Sequence, residues 1–122
     1  MLLELRKEIT KGLKNYTSLN VYLPYQEIGG LTFPLLTLEL EVSDNERTLN
    51  RETVTYTVKF DVYLYSDNIT ELVSNNKVRE YFNTLGIKCS YESKPSKSHH
   101  WYKQYRFECD VRIDNNNNYI LI

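Results

Sequence analysis

The spacing of apolar and polar positions changes several times along the chain, and each spacing predicts an element. Leu2, Leu5, Ile9, Leu13 and Tyr16 recur at intervals of three and four, with Glu4, Arg6, Lys7, Glu8 and Lys11 on the other side. That is an amphipathic helix ending near Asn15 to Ser18, in which Gly12 costs a little propensity. Asn20 to Gln26 alternates but carries Pro24, which suits an edge or broken strand, and Gly29-Gly30 signals a turn. From Phe33 to Val42 the alternation is clean: Leu36, Leu38, Leu40 and Val42 share one face, and Thr37, Glu39 and Glu41 the other. Ser43 to Thr53 is polar and reads as a long loop or hairpin tip.

Val54 to Tyr65 alternates without a break. Val54, Tyr56, Val58, Phe60, Val62 and Leu64 point one way; Thr55, Thr57, Lys59, Asp61, Tyr63 and Tyr65 point the other. A strand of this length belongs at the centre of a sheet. Ser66, Asp67 and Asn68 are candidate helix caps, with Glu71 three residues after Asn68 as in a capping box. Ile69, Leu72, Val73, Val78, Tyr81, Phe82 and Leu85 then form one helical stripe, which Gly86 ends. Ile87 to Tyr91 and Tyr105 to Ile113 follow as strands, the second with Tyr105, Phe107, Cys109, Val111 and Ile113 inward. Between them lies a basic loop with aromatics, SKPSKSHHWYKQ.

The order helix, strand, strand, strand, helix, strand, strand predicts an α+β fold. It is a mostly antiparallel sheet of four to five strands, with two helices packed on one face and the other face wholly polar. Residues 1–114 form one domain; residues 115–122 are an Asn-rich tail with an apolar tip. A length of 122 residues fits a single core.

Charge narrows the function. Fifteen Lys and Arg balance sixteen Asp and Glu, which argues against the nucleic-acid backbone as main partner, since that normally needs a strongly basic face. No apolar run approaches the roughly 20 residues needed to span a bilayer. The first residues mix acids and bases with leucine, unlike a signal peptide. Two cysteines are too few for a disulfide scaffold. Cys89 and Cys109 both fall on inward positions and read as buried thiols, not nucleophiles, which would need a base and an accessible pocket. His99-His100 has no Cys, Asp or Glu at ligand spacing, so no metal site is expected. The carboxylates Glu39, Glu41, Asp61, Glu108 and Asp110 share the polar face with Lys59, Arg106 and Arg112, which favours cross-strand ion pairs over acid–base chemistry. No phosphate loop, dinucleotide fingerprint or nucleophile elbow is present. The expectation is a protein that is not an enzyme and takes no cofactor.

Three segments suit contact with other subunits. The first is the hairpin region, with Asn45, Glu46, Arg47, Leu49 and Arg51. The second is the basic loop, with Lys97, His99, His100, Trp101 and Tyr102, where an exposed Trp suits a protein interface. The third is the tip, Tyr119, Ile120, Leu121 and Ile122, which can add as a strand to its own sheet or to a neighbour's.

The segments LLELRKEITKGLK, NVYLPYQE through Gly29-Gly30 to FPLLTLEL, VTYTVKFDVYLY into NITELVSNNKVREYFNTLG, and YRFECDVRI cover nearly the whole chain. In order and pattern they resemble the tail terminator (tail-completion, head–tail joining) proteins of long-tailed bacteriophages and phage-like particles. The resemblance implies a structural subunit of the virion tail or neck, assembled in the cytoplasm of a bacterial host. Such proteins form a ring, usually of six copies, at the head-proximal end of the tail tube, where they stop polymerisation and present the connector docking surface. The implied partners are further copies of the chain, the tail tube protein, the neck or connector protein and, in contractile tails, the sheath protein. DNA only passes through the lumen, and no membrane is involved. Thr37, Glu39, Glu41, Asp61, Glu108 and Asp110 would suit the lumen wall, because carboxylates repel phosphate. Neck and minor tail proteins share this design. The rivals of another class are a small ligand-binding domain and a single-strand nucleic-acid binder using Trp101 and the loop lysines.

Overall fold

The computed structural model describes residues 2–23, 30–47, 54–113 and 119–121. Helix α1 (Leu2–Thr17) leads through a short strand β1 (Val21–Tyr22) to the long hairpin strands β2 (Leu35–Arg47) and β3 (Val54–Ser66). Helices α2 (Ile69–Ser74) and α3 (Lys77–Thr84) follow, then strands β4 (Lys88–Glu92), β5 (Ser96–Lys97), β6 (Trp101–Ile113) and β7 (Tyr119–Leu121). The fold is α+β, as the polarity pattern predicts. The sheet runs β1-β2-β3-β6-β4 and is antiparallel except at β1, which lies parallel to β2.

The strand predicted to be central is central. Along one edge β3 pairs with β2, from Leu35↔Tyr65 to Arg47↔Val54, with a bulge between Asp44 and Glu46. Along the other it pairs with all of β6, from Ser66↔Trp101 to Val54↔Ile113. The far edge of β6 is shared by three short strands. β5 takes Trp101 and Tyr102, β4 takes Tyr105 to Glu108, and β7 takes Val111 to Ile113. The tail tip therefore docks on its own sheet.

One face of the sheet carries the core. Leu36 and Leu38, then Val58, Phe60, Val62 and Leu64, then Tyr105, Phe107 and Val111 meet Leu5, Ile9 and Leu13 of α1, Leu72 of α2, and Val78, Tyr81 and Phe82 of α3. Phe82 stacks on Phe107 with ring centroids 3.9 Å apart and touches Phe60 at 5.5 Å. A fully buried aromatic in such a position contributes about 3–5 kcal/mol relative to alanine.

The single helix expected over Ile69 to Leu85 is two helices. The backbone of Asn75 is extended. Its side chain accepts from the Lys77 amide at 2.8 Å and donates to Glu71 Oε1 at 3.1 Å. Asparagine thus offers the backbone an alternative to the helical bond, and the chain turns there. Glu71 is drawn to Asn75 rather than back to Asn68, so the expected capping box does not form; Asn68 Oδ1 instead accepts from the Thr70 amide at 2.9 Å. The break also splits the stripe: Leu72 is buried, but Ile69 and Val73 are 44% and 64% exposed. Gly86 does sit just past α3 with φ +73, as its place predicts.

Two further expectations change. β6 starts at Trp101, four residues before the predicted strand, so much of the basic loop is sheet. Lys103, on an inward position, obscures the alternation in the sequence; its ammonium pairs with Glu92 at 3.1 Å and lies over the Tyr105 ring at 5.2 Å. The helix-free face is not wholly polar either. Leu35 is fully buried yet outside the core cluster, and Thr37 and Asp61 are only 2% and 8% exposed.

Candidate functional site

Because β2, β3 and β6 are in register, their outward residues form rows across the helix-free face. The rows are Leu35, Tyr65, Tyr102; Thr37, Tyr63, Gln104; Glu39, Asp61, Arg106; Glu41, Lys59, Glu108; and Ser43, Thr57, Asp110. One end is aromatic and the other charged.

At the aromatic end the rings of Tyr63, Tyr65 and Tyr102 form a near-equilateral triangle, with centroids 5.9 to 6.1 Å apart. The turn between β5 and β6 rises beside them. It is closed by the Ser98 amide donating to the His100 carbonyl at 3.2 Å, and His100 packs on Phe33 with centroids 4.8 Å apart. Beside them lies a half-open hollow of about 490 Å³, lined by Thr37, Glu39, the three tyrosines, Ser98, His99 and His100. Thr37 Oγ1 is buried there without a hydrogen-bond partner among the described residues. Burial raises the pKa of Tyr63 and Tyr65, and for Tyr63 the charges of Asp61 and Glu39 add to this, so both phenols keep their protons.

At the charged end one expected ion pair is present. Arg106 Nε donates to Asp61 Oδ1 at 2.7 Å. The bond and the charge of Asp61 push the guanidinium pKa up further. Thr57 Oγ1 donates to Asp110 at 3.0 Å. Glu39, Glu41 and Glu108 are exposed.

The structure separates the contact segments picked from the sequence. His99, His100 and Tyr102 border the hollow on the helix-free face. Trp101 points to the opposite face, where it is half-buried against the core with Lys97 Nζ 5.8 Å from its ring. It is not the exposed loop residue that the sequence suggested. Asn45, Glu46 and Arg47 end β2, with Asn45 at the bulge. Tyr119, Ile120 and Leu121 form β7 on β6. Leu49, Arg51 and Ile122 lie outside the described residues. Sequence reasoning places Thr37 and Glu39 only on a lumen wall and does not single out Tyr63 and Tyr65, although tyrosines at successive outward positions of one strand are a visible signal.

A second hollow, of about 510 Å³, lies between α1 and β1. Its floor is Val21, Tyr22, Leu23 and Leu38, and Arg6, Lys7, Lys11 and Lys14 rim it. Arg6 is already engaged, donating to the Leu38 carbonyl at 2.9 Å. The thiols are free, and Cys109 is pushed up to about 11 by burial and then by Asp110 and Glu108. Among the described residues no group of three His, Cys, Asp or Glu could hold a metal ion.

The class this defines is an α+β sandwich with one helix-covered and one open sheet face. Comparison with models of protein families, with curated proteins and with solved structures finds no match.

Proposed function

We propose that the chain is a structural subunit of a phage or phage-like tail, a terminator. Six copies close into a ring at the head-proximal end of the tail tube, stop its polymerisation and offer the connector a docking surface. The observation that carries this reading is the far end of the β2–β3 hairpin. Leu36, Leu38, Val58 and Phe60 are buried under the helices, but Leu40, Val42 and Tyr56, on the same face, are only half covered. The outer edge of β2 beyond Thr37 has no strand partner among the described residues. A half-covered apolar arm beside an open edge suits a heterologous contact with the next copy, the kind of contact that closes a ring. The proposed role involves no reaction and no cofactor. The other partners are the tube protein, the neck or connector protein and, in a contractile tail, the sheath.

The same arm suits a neck or head–tail joining protein, and one experiment separates the two. The purified protein is imaged by negative stain and weighed in solution, alone and with tail-tube subunits. Rings, or caps on tube ends, that disappear in Val42→Asp support the terminator. Binding to connector but not to tubes supports the neck protein. A monomer that ignores both overturns the reading.

A further inference from the structure

The aromatic hollow on the helix-free face has features that a subunit contact on the hairpin arm does not use. Its floor is three tyrosine rings tilted 26°, 43° and 55° to one another, so that each offers its own π face. Its wall toward the charged rows is Glu39, with Glu41 in the next row of the same strand. Thr37 Oγ1 lies buried in it with no partner among the described residues. An orphaned buried hydroxyl destabilises the free site, and a ligand group able to hydrogen-bond there relieves it.

These features select among ligands. Anionic ligands, phosphates and nucleotides included, are disfavoured by Glu39. A cation is favoured by the carboxylate and by the tyrosine faces. A planar cation that donates several hydrogen bonds satisfies all three features: it stacks on a tyrosine ring, pairs with Glu39 and has donors to spare for Thr37. An ammonium is compact, strongly hydrated and cannot stack. We propose that the hollow is a binding site for an arginine side chain presented by another polypeptide, its guanidinium stacked on one ring of the Tyr63, Tyr65 and Tyr102 cluster and edged by the other two. The volume of about 490 Å³ exceeds the guanidinium alone and leaves room for the methylene stem and flanking backbone. The site stands apart from the ring reading, since it needs only the folded chain.

The test is a titration of the isotopically labelled protein with N-acetyl-arginine amide, following the aromatic signals of the tyrosines. N-acetyl-citrulline amide, a neutral near-isostere, and N-acetyl-lysine amide serve as comparisons. The expected result is saturable shifts of the Tyr63, Tyr65 and Tyr102 rings at millimolar concentration, with citrulline and lysine amides weaker by about tenfold or more. Tyr65→Ala abolishes the shifts. Glu39→Gln, at an exposed position that leaves the fold intact, weakens binding severalfold and guards against the case in which Tyr65→Ala unfolds. Absence of shifts at the three rings overturns the proposal, as does equal binding of the citrulline amide. So does a preference for a neutral sugar or a nucleoside monophosphate.

Discussion

Gly12 looks like a flaw in the sequence and is a requirement of the fold. It faces Tyr81 of α3, where a Cβ would fall 2.8 Å from Cε1 and nearer still to the rest of the phenol edge. Tyr81 is held by Phe82, edge-on at 5.3 Å, and by Tyr16 at 5.9 Å, so it has little room to yield. Gly12→Ala should therefore destabilise by about 1–3 kcal/mol, even though alanine is the better helix former by about 1 kcal/mol. Thermal unfolding measures this, and a rise in Tm would show that propensity wins over packing. Ser18 is the opposite case. It holds φ +62 just past α1, a conformation natural to glycine, and its amide donates to the Lys14 carbonyl at 2.9 Å. Ser18→Gly relieves that strain and should raise stability by up to about 1 kcal/mol in the same assay. Tyr105 gives a pH dependence. Burial, and then the charge of Glu92, pushes its phenol from 10.0 up to about 12. Between those values the unfolded chain has lost a proton that the folded chain keeps, so stability is intact below pH 10 and falls as pH rises toward 12. Tyr105→Phe loses only a 3.3 Å bond to the Asn75 carbonyl and should flatten that fall. An unchanged slope in denaturant unfolding across pH 9 to 12 would place the linkage on another group.

At the scale of elements, legibility followed how far each element depends on its own sequence. β3 and the core half of β6 were readable because every second residue from Val58 to Leu64, and Tyr105, Phe107 and Val111, obey a two-residue period that burial enforces. α1 was readable for the matching reason at a period of 3.6. The break at Asn75 was hidden because the apolar spacing runs across it, while a side-chain bond to the Lys77 amide decides it. The first four residues of β6 were hidden because Lys103 occupies an inward position, tolerated only through Glu92 from another strand. Nothing local to Thr37, Tyr63 or Tyr102 brings them together; the hollow exists because register places three strands' outward residues beside the β5–β6 turn. β7 was left open between self-docking and exchange, and it pairs with Val111 to Ile113. Removing residues 119–122 should leave the core intact but bare that edge. Amide exchange at Arg112, whose N–H faces that edge, should then speed up by tenfold or more, on the order of the 1–2 kcal/mol that local strand pairing contributes. Unchanged protection there would mean that β7 does not hold the edge in solution.

At the scale of the whole molecule, the fold divides its work between two faces. The helix-covered face carries the core, with Leu40, Val42 and Tyr56 half covered at its far end, and the open face carries the tyrosine hollow and the charged rows. Its charges differ in standing. Asp61 is tied to Arg106 and Asp110 accepts from Thr57, so those acids belong to the sheet's own bonding. Glu39, Glu41 and Glu108 are exposed, and in the ring reading they give the lumen its negative surface, which keeps passing DNA from adhering. Replacing all three by glutamine removes three negative charges from the chain's net −1 and leaves a formal +2. The substituted side chains keep their size, and the half-covered arm of Leu40, Val42 and Tyr56 is untouched. Ring assembly, read by solution mass, should therefore be unchanged. DNA release through reconstituted tails should slow, and more so at low salt, where phosphate attraction is least screened. A variant that no longer assembles would instead assign these acids to the contact between copies and move the lumen to another face.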